Sequence, residues 1–207
     1  MKIKTVVVGP IATNCYIVCD ENSKDAFLID PGDEHEKISN ALKELNLNIK
    51  AVILTHGHFD HVTALSRIEY LKGIPVYIHK DDLFLVTGSI PKFAALFGYS
   101  ATVLEGLDLV ADLQQINVGS MTLKILHTPG HTPGGICVYL EKEKTLFTGD
   151  TLFFKDHGRV DLPAGSGKMI IDSLKKLLAL PGDVSVYPGH GRSTTIDNER
   201  KTFADIL

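Results

Sequence analysis

The chain of 207 residues is poor in cysteine, with only Cys15, Cys19 and Cys137, an odd number. Cys15 and Cys19 stand four positions apart in a strand-like run. At a rise of roughly 3.3 Å per residue their Cα atoms lie beyond disulfide reach, and no CxxC pair is present. The three thiols are therefore expected as small, buried apolar side chains. Long apolar runs are also missing: none approaches the roughly 20 residues that span a bilayer. The opening run breaks at Gly9-Pro10, too early for a secretory h-region, so the expected location is the cytoplasm, with no membrane partner. Nor is there a basic excess, since Lys plus Arg number 21 against 25 Asp plus Glu, a formal charge of −4. That argues against a nucleic-acid binder, whose affinity rests on neutralising phosphates. Tandem repeats, low-complexity segments and linker-like stretches are absent as well. With 44% hydrophobic residues, a chain of this size buries a core without staples, and the expectation is one domain over 1–207.

What is present alternates between two periodicities. Residues 2–8, 15–19, 26–29, 51–54 and 76–79 read as strands rich in Val, Ile and Phe. Residues 34–45 read as a helix, with Ile38, Leu42 and Leu45 at helical spacing. The spacing predicts a further helix over 61–71 and helical pieces over 81–96 around Pro91. After Gly106 strands dominate, at 115–118, 122–126, 136–140 and 145–147. A helix over 168–180 carries an apolar face of Met169, Ile170, Leu174, Leu177 and Leu178. A strand at 184–187 and a closing helix over 196–206 complete the chain. Helices and strands alternating at both ends, with extra strands between, predict a layered α/β protein whose sheets are covered by helices.

Four strand-like runs each end in residue types that ligate metals. Residues 51–54 lead into Thr55-His56-Gly57-His58-Phe59-Asp60-His61, residues 123–126 into His127-Thr128-Pro129-Gly130-His131, residues 145–147 into Thr148-Gly149-Asp150, and residues 184–187 into Pro188-Gly189-His190. In open α/β sheets ligands bind beyond the carboxyl ends of strands, so four such ends are candidates to converge on one site. Each loop places a glycine directly before one of its His or Asp residues, which permits tight turns and close backbone approach. Neutral imidazole and carboxylate suit Zn²⁺, with Fe or Mn as alternatives. No single loop supplies a full ligand set, so His131, Asp150 and His190 must complete what residues 56–61 begin.

These motifs, in this order and spacing, resemble the metallo-β-lactamase superfamily over nearly the whole chain. The resemblance implies a four-layer αβ/βα sandwich with its metals at one edge. It also implies one metal held by His56, His58 and His131, a second by Asp60, His61 and His190, and Asp150 bridging the two. Within the superfamily the chain is most similar to the short bacterial members of the glyoxalase II branch, the hydroxyacylglutathione hydrolases, to which Gly149-Asp150-Thr151-Leu152-Phe153 belongs by pattern. That branch holds glutathione with a Lys nine residues after the bridging Asp, where this chain has Arg159. Two residues further it has a Tyr, where this chain has Asp161. With 17 residues after His190, a counterpart of its long C-terminal helical extension is not expected.

The implied activity is hydrolysis of a small-molecule thioester such as an S-hydroxyacylglutathione. Two divalent cations against Asp60, Asp150 and a hydroxide leave a net positive site, which lowers the pKa of bound water toward ~7 and polarises a carbonyl. Thiolate is a good leaving group, so no dedicated protein acid is needed. Asp60 is the candidate catalytic residue, orienting the hydroxide or shuttling a proton. Asp30, at the end of the 26–29 strand, is a candidate to accept the second N–H of a ligand imidazole, or else a plain Asp-Pro-Gly turn residue. Arg159 is a candidate receptor for a substrate carboxylate, or else the partner of Asp161 in a structural turn. Phe93, Phe97, Phe153 and Phe154 are read as core or as pocket wall. His35, His79, His127 and His157 are read as ordinary histidines, His127 with a candidate supporting role behind the 129–131 loop. The alternatives to a thioesterase are a mononuclear iron persulfide dioxygenase of the same superfamily and a hydrolase of a lactone or other ester, a β-lactam or a phosphodiester.

Overall fold

The protein is described from a computed structural model that covers residues 1–87 and 103–206. β1 (Lys2–Val8) turns back on β2 (Thr13–Cys19) in antiparallel register, Lys2 opposite Cys19 and Val8 opposite Thr13. β3 (Asp25–Ile29) continues the meander. The chain then crosses through α1 (His35–Leu45) to β4 (Asn48–Ile53), parallel to β3. After the short α2 (Phe59–Val62), β5 (Val76–His79) pairs parallel with β4; α3 (Leu83–Val86) follows, and β6 (Asp108–Val110) closes a six-stranded sheet in the order 1-2-3-4-5-6. The second half opens with an antiparallel meander of β7 (Gln115–Val118), β8 (Met121–His127), β9 (Ile136–Leu140) and β10 (Thr145–Gly149). A two-stranded hairpin, β11 (Leu152–Phe153) with β12 (Asp156–His157), precedes α4 (Gly167–Leu178). β13 (Ser185–Pro188) returns parallel to β10, β14 (Thr194–Thr195) forms the edge, and α5 (Ile196–Thr202) follows. This second sheet runs in the order 14-13-10-9-8-7.

Strand parity builds the layers. Successive side chains of a strand point to opposite faces, and in β2 Cys15 and Ile17 meet Ile38, Ala41 and Leu42 of α1, while Tyr16 and Val18 face the second sheet. β4 repeats this with Val52 outward and Ala51 and Ile53 inward. In the second sheet Cys137, Tyr139 and Leu146 pack under α4 and α5, whereas Val138 and Phe147 point inward. The result is four layers, α1, sheet, sheet and α4 with α5, as expected from the sequence. All three cysteines are buried thiols. Among the described residues no helix is long and apolar enough to cross a membrane.

Two expectations need correction. The helix over 61–71 is instead α2 followed by two 3-10 turns, Leu65–Arg67 and Glu69–Leu71. The apolar spacing is helical, but the amide of Ala64 leaves the helical ladder to donate to the carbonyl of Gly32. The closing helix ends at Thr202 and gives way to a 3-10 turn at Ala204–Ile206. Of the helical pieces over 81–96, the structure holds a 3-10 turn at Lys80–Asp82 and α3; the part from 88 onward, with Phe93, lies outside the described residues, as does Phe97. The short β6, β11, β12 and β14 were not anticipated, because strands of two or three residues carry no periodicity.

The two sheets are joined at their centre by aromatic rings. Phe147 lies 5.0 Å from Tyr16, 5.3 Å from Tyr187 and 6.3 Å from Phe27, centroid to centroid, and is fully buried. Phe147→Ala is expected to cost about 3–5 kcal/mol of stability, measured by urea denaturation. A loss well under 1 kcal/mol would mean that the ring does not join the sheets.

Candidate metal centre

The carboxyl ends of β3 and β4 in one sheet and of β8, β10 and β13 in the other meet at one edge of the sandwich. Asp30 follows β3, the His56–His61 stretch follows β4, His131 follows β8, Asp150 follows β10 and His190 follows β13. The structure brings all seven expected ligand residues together there. His58 Nδ1 lies 3.1 Å from His56 Nε2 and 2.9 Å from His131 Nε2. A second trio holds His61 Nε2 3.2 Å from Asp60 Oδ2 and 3.4 Å from His190 Nε2, with His190 Nε2 3.4 Å from Asp60 Oδ2. Asp150 sits between them: Oδ1 is 3.5 Å from His61 Nε2, and Oδ2 is 3.4 Å from His131 Nε2 and 3.5 Å from His190 Nε2.

The outer sides of the rings are held by hydrogen bonds, which decides which nitrogen faces inward. His61 Nδ1–H donates to Asp30 Oδ2 at 2.8 Å, the contact expected of Asp30. Asp30 also accepts from the backbone N–H of Thr55 at 2.8 Å and from its hydroxyl at 2.6 Å, so one buried carboxylate ties β3 to both loop ends. His131 Nδ1–H donates to the carbonyl of Arg159 at 2.7 Å, and His190 Nδ1–H to that of Ile11 at 3.1 Å. The approach of loops is close enough to demand glycine at two places. A Cβ on Gly32 would fall 1.6 Å from the carbonyl oxygen of Asp60, and one on Gly189 would fall 2.2 Å from Asp150 Oδ1 and 2.9 Å from His61 Cε1.

Burial and mutual charge set the protonation of this cluster. Burial pushes His56 well below its ordinary value, reinforced by His61 and His58, and lowers His58 to about 4, reinforced by His131. Burial also disfavours charge on His61, but Asp60, Asp150 and Asp30 outweigh it and hold the ring well above its ordinary value. His190 is raised to about 9 against its burial, by hydrogen bonds and charge from Asp150 and Asp60. Burial would raise both carboxyls. The charge of His61 and a hydrogen bond from His190 hold Asp60 well below the usual range and lower Asp150 as well.

The donor set fits divalent cations. Asp150 Oδ1, although buried, has no hydrogen-bond partner among the described residues. His58 Nδ1 faces two ring nitrogens at once, and His61 and His190 turn Nε2 toward Nε2. Protons cannot satisfy all of these facing lone pairs, whereas cations between them do.

Several supporting residues carried no signal in the sequence. Thr13 donates its hydroxyl to Asp60 Oδ2 at 2.9 Å. Asn14 donates to the carbonyls of Pro188 and Gly191, both at 2.9 Å, and Tyr16 to that of Pro188 at 2.6 Å, so the start of β2 fixes the His190 loop. Asp82, fully buried, accepts from Gly57 N–H, the Thr132 hydroxyl and Gly134 N–H, tying the His56–His58 loop to the His131 loop. Two polar residues, Thr13 and Asn14, opening an otherwise apolar strand were the one available hint. The side chain of Arg159 forks onto Asp161 through two 2.7 Å bonds. Beside the cluster lies a cavity of about 390 Å³, walled by Ile11, Phe59, Phe153 and Leu162 and lined at its rim by His157 and Arg159. Phe153 therefore does face the pocket, while Phe154 stacks under the Arg192 guanidinium.

The family model of the metallo-beta-lactamase superfamily matches residues 8–190. The chain is 37% identical over 211 residues to the hydroxyacylglutathione hydrolase GloC of Haemophilus influenzae, covering 98% of this chain and 96% of that protein. Among solved structures it is similar to the B3 metallo-beta-lactamase BLEG-1, at 35% identity, a TM-score of 0.89 and 97% coverage of both chains. It is also similar to TTHA1623 in a di-iron-bound form, at 36% identity and a TM-score of 0.86, covering 96% of this chain and 98% of that one.

Asp30→Asn, which removes the acceptor behind His61, is expected to weaken zinc binding by about 10–100-fold, measured by competition with a chromophoric chelator. Unchanged affinity would reduce Asp30 to a turn residue. The metal-stripped protein should also become less stable as pH rises. A raised imidazole stabilises fully below its ordinary value and ceases to do so as pH passes its folded value, about 9 for His190. The melting temperature of the stripped protein is therefore expected to fall between about pH 7 and pH 10, and the zinc-loaded protein should lack this fall. A flat profile in the stripped protein would contradict the His190 pairing.

Proposed function

The chain belongs to the metallo-β-lactamase superfamily, and on that footing we propose that it is a dinuclear metal-dependent hydrolase acting on a thioester of the S-hydroxyacylglutathione type. The observation that carries this reading is the pair of inward-facing trios with Asp150 between them. His56, His58 and His131 would hold one divalent cation, Asp60, His61 and His190 the other, and Asp150 both. Zinc is the proposed metal on the strength of its fit to imidazole and carboxylate; iron, as in the di-iron form of TTHA1623, and manganese suit the same donors. Bound there, such ions supply water activated at neutral pH and a Lewis acid for a carbonyl oxygen.

The chain's own groups then have separable tasks. Asp60 is aimed by the Thr13 hydroxyl, so it is placed to orient the attacking water or to shuttle its proton. Phe59, Phe153, Ile11 and Leu162 exclude bulk water from the reacting carbonyl. The departing thiolate needs no acid from the protein. The glutathione half of the substrate is supported by the resemblance to GloC. In this reading Arg159, at the cavity rim, receives a substrate carboxylate by exchanging Asp161 for it.

The deciding experiment is elemental analysis of the native protein paired with assays on S-D-lactoylglutathione, a lactone and a β-lactam. Two metals per chain with preferential thioester cleavage is the expected outcome. One iron per chain with oxygen-dependent consumption of a persulfide would overturn it in favour of a dioxygenase. Asp60→Asn, assayed with its metal content verified, is expected to lower kcat by about 10²-fold or more. Near-normal turnover at full loading would remove the proton-handling role.

A further inference from the structure

We infer that His79, Asp81 and His127 form an accessory site for a divalent transition ion such as Zn²⁺, separate from the seven-residue cluster and spanning the seam between the two sheets. His79 ends β5 in the first sheet and His127 ends β8 in the second. Their rings lie face to face, centroids 4.0 Å apart and 12° from parallel. One ligand atom from each of the three residues lies within 4.8 Å of the others, and His79 Nδ1 stands 3.7 Å from Asp81 Oδ2.

Hydrogen bonding sets the tautomer of both rings. His127 Nε2 lies 2.9 Å from the carbonyl of Pro133, which only accepts, so Nε2 carries a proton, and the neutral ring that binds a metal offers its lone pair at Nδ1. His79 Nδ1 accepts the backbone N–H of Asp81 at 3.3 Å, so this nitrogen also bears a lone pair. The backbone of His127 is clamped on both sides, its N–H donating to Asp112 at 2.7 Å and its carbonyl accepting from Lys176 at 3.0 Å. His79 is buried and held below its ordinary value by that burial and by His127, which keeps it neutral for ligation. Two neutral imidazoles and a carboxylate suit Zn²⁺, with water filling the remaining position. Ligand atoms sharing a tetrahedral zinc at about 2.0–2.1 Å sit about 3.3 Å apart. Closing the site therefore takes a contraction and a turn of one ring out of the stack, since near-parallel rings do not aim both lone pairs at one point.

The position gives the site a consequence. Asp82, next in sequence to Asp81, is the buried acceptor that ties the His56–His58 loop to the His131 loop. An ion on His79, Asp81 and His127 would pin the same turn, and with it the two sheets. It is thus a staple whose effect reads out as stability.

The test is titration of the metal-free full-length protein with Zn²⁺ by calorimetry, with the melting temperature followed in parallel. The wild type should take up three equivalents, the third weaker than the first two by tenfold or more, and that third equivalent should raise the melting temperature. His127→Gln and Asp81→Asn should each take up two. Asp81 has a half-exposed side chain, so its variant folds and keeps the test decisive even if the His127 variant does not. Equal uptake by the wild type and Asp81→Asn, however many ions the seven-residue cluster takes, would overturn the inference. Loss of the proposed hydrolytic centre is distinguishable, because it removes the tighter equivalents and leaves the third.

Discussion

Charge compensation at a buried edge governs this protein. Asp60, Asp150 and five imidazoles turn their nitrogens and oxygens toward one another at a largely buried edge. Isolated buried charges are costly, and a cluster such as this persists only if each group is paired, hydrogen-bonded or bound to a cation. The opposed shifts of neighbouring rings follow from that condition. His56 and His58 are forced neutral, while His61 and His190 are kept charged by the carboxylates beside them.

The fold serves this constraint by bringing five strand ends to one edge and then fixing them against each other. The aromatic contacts of Phe147 set how the two sheets face, and with it the separation between loops carried by different sheets. Each loop is then pinned from behind by a donor or acceptor of another element. Asp30 joins β3 to Thr55 and His61, Asp82 joins the turn after β5 to two ligand loops, and Asn14 and Tyr16 join β2 to the loop of His190. Polar groups spent on these ties are satisfied, so the inward-facing donors are the ones left for cations. The glycines at 32 and 189 matter for the same reason, since a methyl group at either would push a ligand loop away from its neighbour.

Much of this was readable along the chain because local chemistry and tertiary placement agreed. The density of His and Asp between 56 and 61 has no simple structural explanation, and strand-then-glycine-then-ligand recurs at 131, 150 and 190. Long elements such as β1, α1 and α4 declared themselves through periodicity. What was misread had non-local causes. The 61–71 segment has helical spacing of its apolar residues, yet the carbonyl of Gly32 captures the amide of Ala64 and breaks the ladder. His79 and His127, unremarkable and 48 positions apart in sequence, stack only because β5 and β8 end side by side across the seam.

Residue types and their spacing thus carried the layered class, the identity of the inward donors and the chemistry they favour, since hydrophobic period and ligand preference are properties of short segments. Which imidazole nitrogen faces inward, and which carboxylate supports a ring from behind, were decided by folding. Those outcomes depend on distances of about 3 Å between groups far apart in sequence, and no pattern along one strand or loop encodes such a distance until the two sheets are packed.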